Sequence, residues 1–190
     1  MTISRLETDR LILRKFENDD IEALYSLLKD EEVNTFLPWF PVKSMEEAAI
    51  FYKTRFLNQK FPLAICLKGD NRPVGYISVS LDESHDLGYA LAKAFWHRGI
   101  VTEAGRALIE RLRRDGIPYI TATHDRNNPG SGAVMRRLGM KYGYSYEEQW
   151  QPKNFLVTFR MFQLNLDGQE DRIYQKYWEL SDTHFIEKDL

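Results

Sequence analysis

Apolar and polar positions alternate along this chain with two different periods, and the changes of period mark its elements. Arg10 to Lys15, R-L-I-L-R-K, reads as a first strand. Asn18 with Asp19 and Asp20 offers a helix start with acids in the first turn. Ile21, Leu24, Tyr25 and Leu28 then fall at the i, i+3, i+4, i+7 spacing of a core-facing helix. Ser44 with Glu47 makes a capping box that opens a second helix, predicted through about Phe56. Phe61 to Lys68 and Val74 to Leu81 read as strands joined by the turn sequence Gly69-Asp70-Asn71-Arg72-Pro73. An acidic loop, Asp82-Glu83-Ser84-His85-Asp86, leads into a further strand from Leu87 to Ala92. Helical spacing returns at Ala104, Ala107, Leu108 and Leu112, and Tyr119 to His124 is a short buried strand. Asn128 before Pro129 caps another helix, which Gly139 stops. Met140 to Trp150 and Asn154 to Asn165 are two long final strands.

Two segments fit neither period cleanly. Phe36-Leu37-Pro38-Trp39-Phe40-Pro41 combines helix-stopping prolines with aromatics. It is either a loop folded onto the core or the wall of a substrate pocket, where aromatics gather around ligands. After Asp167 and Gly168 break the last strand, Glu170 to Leu180 is predicted as a helix with Ile173, Tyr174, Tyr177 and Trp178 on one side. That aromatic face needs a cover, supplied by its own domain or by a second subunit. The expectation is one domain over 6–166 and a C-terminal helical extension over 167–190, through which a homodimer could form.

Composition narrows the choice. Of 190 residues 43% are apolar, enough for one core. A net charge of −2 argues against a nucleic-acid partner. Cys66 is the only cysteine, so no intrachain disulfide and no cysteine-rich zinc pattern arises, and no metal is expected. Met1-Thr2-Ile3-Ser4-Arg5 lacks the apolar core of a signal peptide, and no apolar run approaches the roughly 20 residues of a membrane span. A cytoplasmic protein with no membrane partner is the expectation.

Chemistry concentrates in two stretches. Trp96-His97-Arg98-Gly99-Ile100-Val101-Thr102-Glu103-Ala104 is a basic turn between a strand and a helix. Such a turn points free backbone N–H groups outward at the positive end of a helix dipole, a site for phosphate. It is neither a Walker loop nor a dinucleotide fingerprint, which disfavours a nucleotide-binding module. The second stretch is Asn127-Asn128-Pro129-Gly130-Ser131-Gly132-Ala133-Val134-Met135-Arg136-Arg137-Leu138-Gly139-Met140. Together, in this order and with one strand between them, the two resemble the signature of the GNAT acyltransferase superfamily. The closer likeness is to its branch of ribosomal-protein N-acetyltransferase-like enzymes, and it runs from about Leu6 to Asn165. The resemblance implies an α/β (α+β) fold with a mixed central sheet of about seven strands and helices on both faces, which the order β-α-α-β-β-β-α-β-α-β-β matches.

The resemblance further implies acetyl-CoA as cofactor. Its pyrophosphate would lie over the backbone N–H groups of Arg98, Gly99, Val101 and Thr102, with charge from Arg98 and a hydroxyl from Thr102. A side chain at Gly99 would hold the phosphate away. Trp96 stands where the family often has Gln or Arg, and Val101 where it has Gly or Ala. The pantetheine arm would pair with the strand holding Leu91, and an N–H of that strand could polarise the thioester carbonyl. Asn128 and Ser131 match N-x-x-S. Met135 replaces the tyrosine that often protonates the departing thiolate, leaving Ser131 as the hydroxyl there. A thiolate of pKa about 8.5 can leave with only a hydrogen bond.

An acceptor amine must shed a proton, and Glu83, His85 and Asp86, with Glu147 and Glu148 further on, are the candidate bases. Asp86 ranks first because it sits just before Gly88-Tyr89, where the family often has an acid. His97 and His124 read as a phosphate neighbour and a structural residue. Trp39 and Phe40 are the candidate acceptor wall. The expected function is direct transfer of acetyl to a primary amine, of a protein, a peptide or a small molecule such as an antibiotic or polyamine. The rival is a CoA-binding sensor or interaction protein that has lost catalysis.

Overall fold

The structure, a computed structural model, describes residues 5–57 and 62–188, and the predicted strand start at Phe61 lies outside them. The strands among these residues form two antiparallel sheets that touch at one point. The first has the order β1 (Arg5–Glu7), β2 (Leu11–Arg14), β3 (Leu63–Leu67), β4 (Pro73–Val79), β5 (Leu87–Leu91). The second runs β6 (Tyr119–Asp125), β8 (Phe155–Asn165), β7 (Lys141–Trp150), β9 (His184–Phe185). A single parallel bridge, Asp86 to Thr121, joins them, with Thr121 N–H donating to the His85 carbonyl at 3.3 Å. The mixed sheet of the sequence expectation is therefore present but split, and the short edge strands β1 and β9 add to its seven strands.

Helices cover both faces. On one face lie α1 (Ile21–Leu28), α2 (Glu31–Asn34) and α3 (Met45–Phe51), the last continuing as a π-helical turn through Phe56. Leu24, Leu28, Tyr52 and Phe56 pack there against Ile12, Ala64, Tyr76 and Ala90. On the other face are α4 (Ile100–Arg114) and α5 (Pro129–Arg137). Their Leu108, Leu112 and Met135 pack against Leu13, Ile65 and Ile77 of the first sheet and Ile120 and Ala122 of the second, so one core spans the split. Leu108 is fully buried, and its truncation to Ala would cost about 2–5 kcal/mol. Gly75 permits the close approach of β4 to β5, because a Cβ there would lie 2.3 Å from the Ala90 carbonyl oxygen.

Asn18 starts a short 3-10 turn rather than capping α1. Asp20 folds inward instead, bridging Arg14 at 2.6 and 2.9 Å and accepting from Glu17 N–H at 2.8 Å, so a buried ion pair fixes the turn.

The predicted helix over 170–180 shrinks to α6, Lys176–Leu180. The chain before it is tied by side chains of β8. Gln163 donates to the Arg172 carbonyl at 2.8 Å and accepts from Tyr174 N–H at 2.7 Å, while Asn165 donates to the Glu170 and Arg172 carbonyls. Backbone groups satisfied this way have no need of a helix. The aromatics of this segment are covered by the chain's own second sheet: Tyr177 stacks on Tyr146 at 5.3 Å and Trp178 meets Tyr144 edge-on. Arg160 holds Glu187 beside Ser145, which fastens the segment beyond β9. Among the described residues no helix is long and apolar enough to cross a membrane.

Candidate active site

A cavity of about 1960 Å³ runs through the split between β5 and β6. The pairing of β5 explains why it is lined as it is. Ala92 N–H donates to Val74 and the Asp86 carbonyl accepts from Ser80, so even-numbered backbone groups of β5 face β4. The N–H and C=O groups of Leu87, Tyr89 and Leu91 therefore point to the open edge, since strand groups alternate. The side chains divide too. Tyr89 reaches the α4/α5 face, whereas Asp86 shares the opposite face with Ala90.

On the α4/α5 face the loop before α4 is bent by two left-handed residues, His97 at φ 59° and Gly99 at φ 71°. A Cβ on Gly99 would meet only Arg10 Nη2, at 3.8 Å, so the approach to this backbone is open and any side chain would both strain and fill it. The first intrahelical bond is Glu103 N–H to the Gly99 carbonyl at 3.0 Å. The N–H groups of Ile100, Val101 and Thr102 precede it and have no intrahelical acceptor. Arg10 braces the loop, donating to the Arg98 carbonyl at 3.1 Å and to Glu103 at 2.6 Å.

The Arg98 guanidinium lies 5.6 Å over the ring of Phe95, a residue of the cavity lining, while Arg98 itself is not in that lining. The arginines that line this end are Arg10, paired with Glu103, and Arg106 and Arg137, to which the sequence reading gave no role. Trp96 has a part of its own: its indole N–H donates to the Leu91 carbonyl at 2.7 Å, closing the open edge there. Of Leu91, then, the N–H is the group left to the cavity.

Asn128 accepts from Ser131 N–H at 3.2 Å, capping α5, and among the described residues its Nδ2 donates to no protein acceptor. The Ser131 hydroxyl meets the Tyr89 hydroxyl at 2.8 Å, and the same phenol donates to the Ser131 carbonyl at 3.0 Å. Burial pushes the Tyr89 phenol well above the ordinary tyrosine range, so it keeps its proton. Tyr89 is the residue that sequence reasoning missed. The residue type was visible, but not its meeting with a serine on another element. His124 also lines the cavity; its ring packs against Gly132, its Nδ1 bonds the Asp125 carbonyl at 2.8 Å, and burial holds it below the usual histidine value.

On the opposite face Asp86 lines the cavity. Its nearest protein donor is Thr121 Oγ1 at 3.5 Å, and among the described residues it makes no ion pair. Burial, with the Asp82 carboxylate nearby, pushes its carboxyl up from 3.8 to about 7. Glu83 corrects the sequence expectation. Its side chain is 83% exposed, near Lys176, and does not line the cavity. Nor do His85, Glu147 or Glu148.

The aromatic segment divides. Trp39 lines the cavity, packs edge-on against Phe51 at 4.8 Å and donates from its indole to Asn34 Oδ1 at 3.0 Å. It is core and wall at once. Phe40 is 60% exposed and absent from the lining, so it is neither. Asn34 is 1% exposed, and its amide also donates to the Leu27, Leu28 and Asp30 carbonyls. From the turn between β7 and β8, Lys153 reaches across the split to the Asn34 and Thr35 carbonyls at 2.7 and 2.9 Å.

A strand edge open beside a glycine-bent helix start, with a carboxyl on one face and hydroxyls on the other, is the arrangement of an acyl-CoA transferase. The family model for the acetyltransferase (GNAT) domain matches residues 10–141, and the chain belongs to that family. A curated relative, the uncharacterized N-acetyltransferase YnaD of Bacillus subtilis (strain 168), is 26% identical over 141 residues, covering 72% of this chain and 82% of its own. The fold is shared with an acetyltransferase of the GNAT family from Bacillus anthracis, at TM-score 0.77 and 22% identity over 86% of this chain and 99% of that one. It is shared also with RimL, a ribosomal L7/L12 alpha-N-protein acetyltransferase in complex with coenzyme A, at TM-score 0.68 and 20% identity over 87% and 100%. The protein is thus an acetyl-CoA-dependent acetyltransferase. The open loop at Gly99 and the unpaired edge of β5 fit that cosubstrate.

Proposed function

We propose that this acetyltransferase passes its acyl group directly to a primary amine, with Asp86 as general base. The observation that carries the reading is the division of β5. A carboxyl with a pKa of about 7 stands on one face, the Tyr89–Ser131 hydroxyl pair on the other, and outward N–H groups lie between them. Acetyl-CoA supplies an activated acyl carbon. The N–H groups of Tyr89 and Leu91 hold the thioester carbonyl and offset the negative charge that develops on its oxygen. Asp86 takes the proton the attacking nitrogen must lose, and a base of pKa near 7 suits an amine at neutral pH. The Ser131 hydroxyl hydrogen-bonds the departing thiolate once the Tyr89 phenol turns its proton from the Ser131 carbonyl to Ser131 Oγ. Ile100, Val101 and Thr102 N–H groups hold the pyrophosphate, with Arg106 and Arg137 adding charge. Asn128 Nδ2 is left to the pantetheine arm.

RimL is by name a protein α-amine acetyltransferase. A flexible peptide N-terminus or a small-molecule amine presents the same nitrogen. Release of free CoA thiol, followed over a panel of such amines, tests the reading. Acetyl-CoA binding without amine-dependent thiol release would leave the chain a CoA-binding sensor.

A further inference from the structure

We propose that the acceptor is a small primary amine with a flat apolar body and an anionic group at its far end, held by Arg55. This rests on the amine-transfer reading and adds the substrate class. The acceptor half of the cavity is walled by Trp39, Phe56, Tyr76, Trp150 and Phe159. Aromatic walls on two sides suit a planar or extended apolar body, which they sandwich without hydrogen bonds.

Two lysines near this half, outside its lining, are occupied: Lys93 is paired with Glu32, and the Lys153 ammonium is taken by the Asn34 and Thr35 carbonyls. Arg55 lines the cavity, and among the described residues it makes neither an ion pair nor a hydrogen bond. Its guanidinium instead lies 5.8 Å from the Trp39 ring. Stacking on an aromatic face leaves the in-plane N–H fork free, and that fork matches a carboxylate or a phosphate with two bonds. A ligand with its nitrogen at Asp86 and its body between the rings would present its other end to this fork. Proton transfer to Asp86 and acylation remove the amine's positive charge, so Arg55 is the partner for what charge remains. The Lys153 bridge ties the β7–β8 turn to the carbonyls of Asn34 and Thr35, and Thr35 lines this half.

Three amines of one shape separate the possibilities: 4-(2-aminoethyl)benzoate, its uncharged benzamide and the phosphate ester of tyramine. Thiol release should give a kcat/KM for one or both anions about tenfold or more above the benzamide, and the better anion names the group. Arg55→Met should collapse that preference to near unity, with the benzamide as the reference within each variant, and Arg55→Lys should restore part of it. Equal rates for all three amines, or a preference that survives Arg55→Met, would overturn the inference and leave amine transfer standing. If the benzoate or phosphate binds in calorimetry through Arg55 yet no amine releases thiol, the anion site stands and the transfer reading falls. Absence of both binding and turnover for the anions ends the inference.

Discussion

The two halves of the cavity are made of different material. The α4/α5 half offers backbone first, the N–H groups of Ile100, Val101 and Thr102 and the outward edge of β5, with the side chains of Tyr89, Asn128 and Ser131 beside it. The acceptor half works through side chains: Trp39, Arg55, Tyr76, Asp86 and Trp150. A main-chain site depends on backbone path, so it tolerates the departures at Trp96 and Val101 from the family's usual residues. A side-chain site changes with every substitution. The contrast explains why the cosubstrate could be read from motifs, while the acceptor has to be argued atom by atom.

The largest break in this contrast is expected at Asp86. Asp86→Asn should lower kcat/KM for the amine by about 10²–10⁴ and leave acetyl-CoA affinity unchanged. Wild-type activity should rise with pH around a midpoint near 7, as the carboxyl ionises, and the variant should lose that limb. Glu83→Gln should change nothing. The sign for stability runs the other way. The folded carboxyl binds its proton more tightly than the ordinary 3.8, so stability falls as pH rises from about 4 through 7. Melting temperatures should therefore favour Asp86→Asn more at pH 8 than at pH 5. A flat pH profile in the wild type would remove Asp86 as base.

Gly99→Glu breaks the other half. The left-handed φ costs any side chain about 1–3 kcal/mol, and a carboxylate would meet the pyrophosphate. Calorimetry should show acetyl-CoA affinity down by about 100-fold or more with amine affinity intact. Unchanged binding would move the phosphate site elsewhere.

Trp39→Ala sharpens the comparison, since Trp39 belongs both to the cavity wall and to the core. We expect a loss of roughly 1–3 kcal/mol in acceptor kcat/KM, with a lower melting temperature and nearly unchanged acetyl-CoA affinity. A melting shift with both substrates weakened equally would mark the ring as core alone. Phe40→Ala should do neither.

The smallest effect falls on the hydroxyl pair. Tyr89→Phe and Ser131→Ala should each lower kcat several-fold with little change in the acetyl-CoA KM, and the double variant should be no worse than about the poorer single one. Additive losses would show two hydroxyls acting separately.

Much of the fold was legible in the sequence because its seven long strands and the caps at Ser44 and Asn128 are local signals. Strands of two or three residues, such as β1 and β9, carry no period to read. The false helix over 170–175 has a physical cause: the spacing of Tyr174, Tyr177 and Trp178 is helical, but Gln163 and Asn165, far back in the chain, supply the hydrogen bonds instead. The site divided in the same way. Gly99 and Asn128 stood out because a turn and a cap demand their residue types, and Ser131 because N-x-x-S resembles the family signature. Tyr89 meets Ser131 across 42 positions, and the Arg98 side chain lies over Phe95 while Arg10 holds the Arg98 carbonyl, which no spacing reveals.

A sheet that splits carries an unpaired edge in its interior. On a surface, such an edge is a template for a neighbouring chain and a route to aggregation. Here the edge is recessed in the cavity and is cut short where the Trp96 indole takes the Leu91 carbonyl, leaving room for a peptide-like arm and little more. On the proposed reading the cosubstrate doubles as the missing strand. Protein kept with CoA at about 100 times its dissociation constant should gain roughly 2.7 kcal/mol against unfolding.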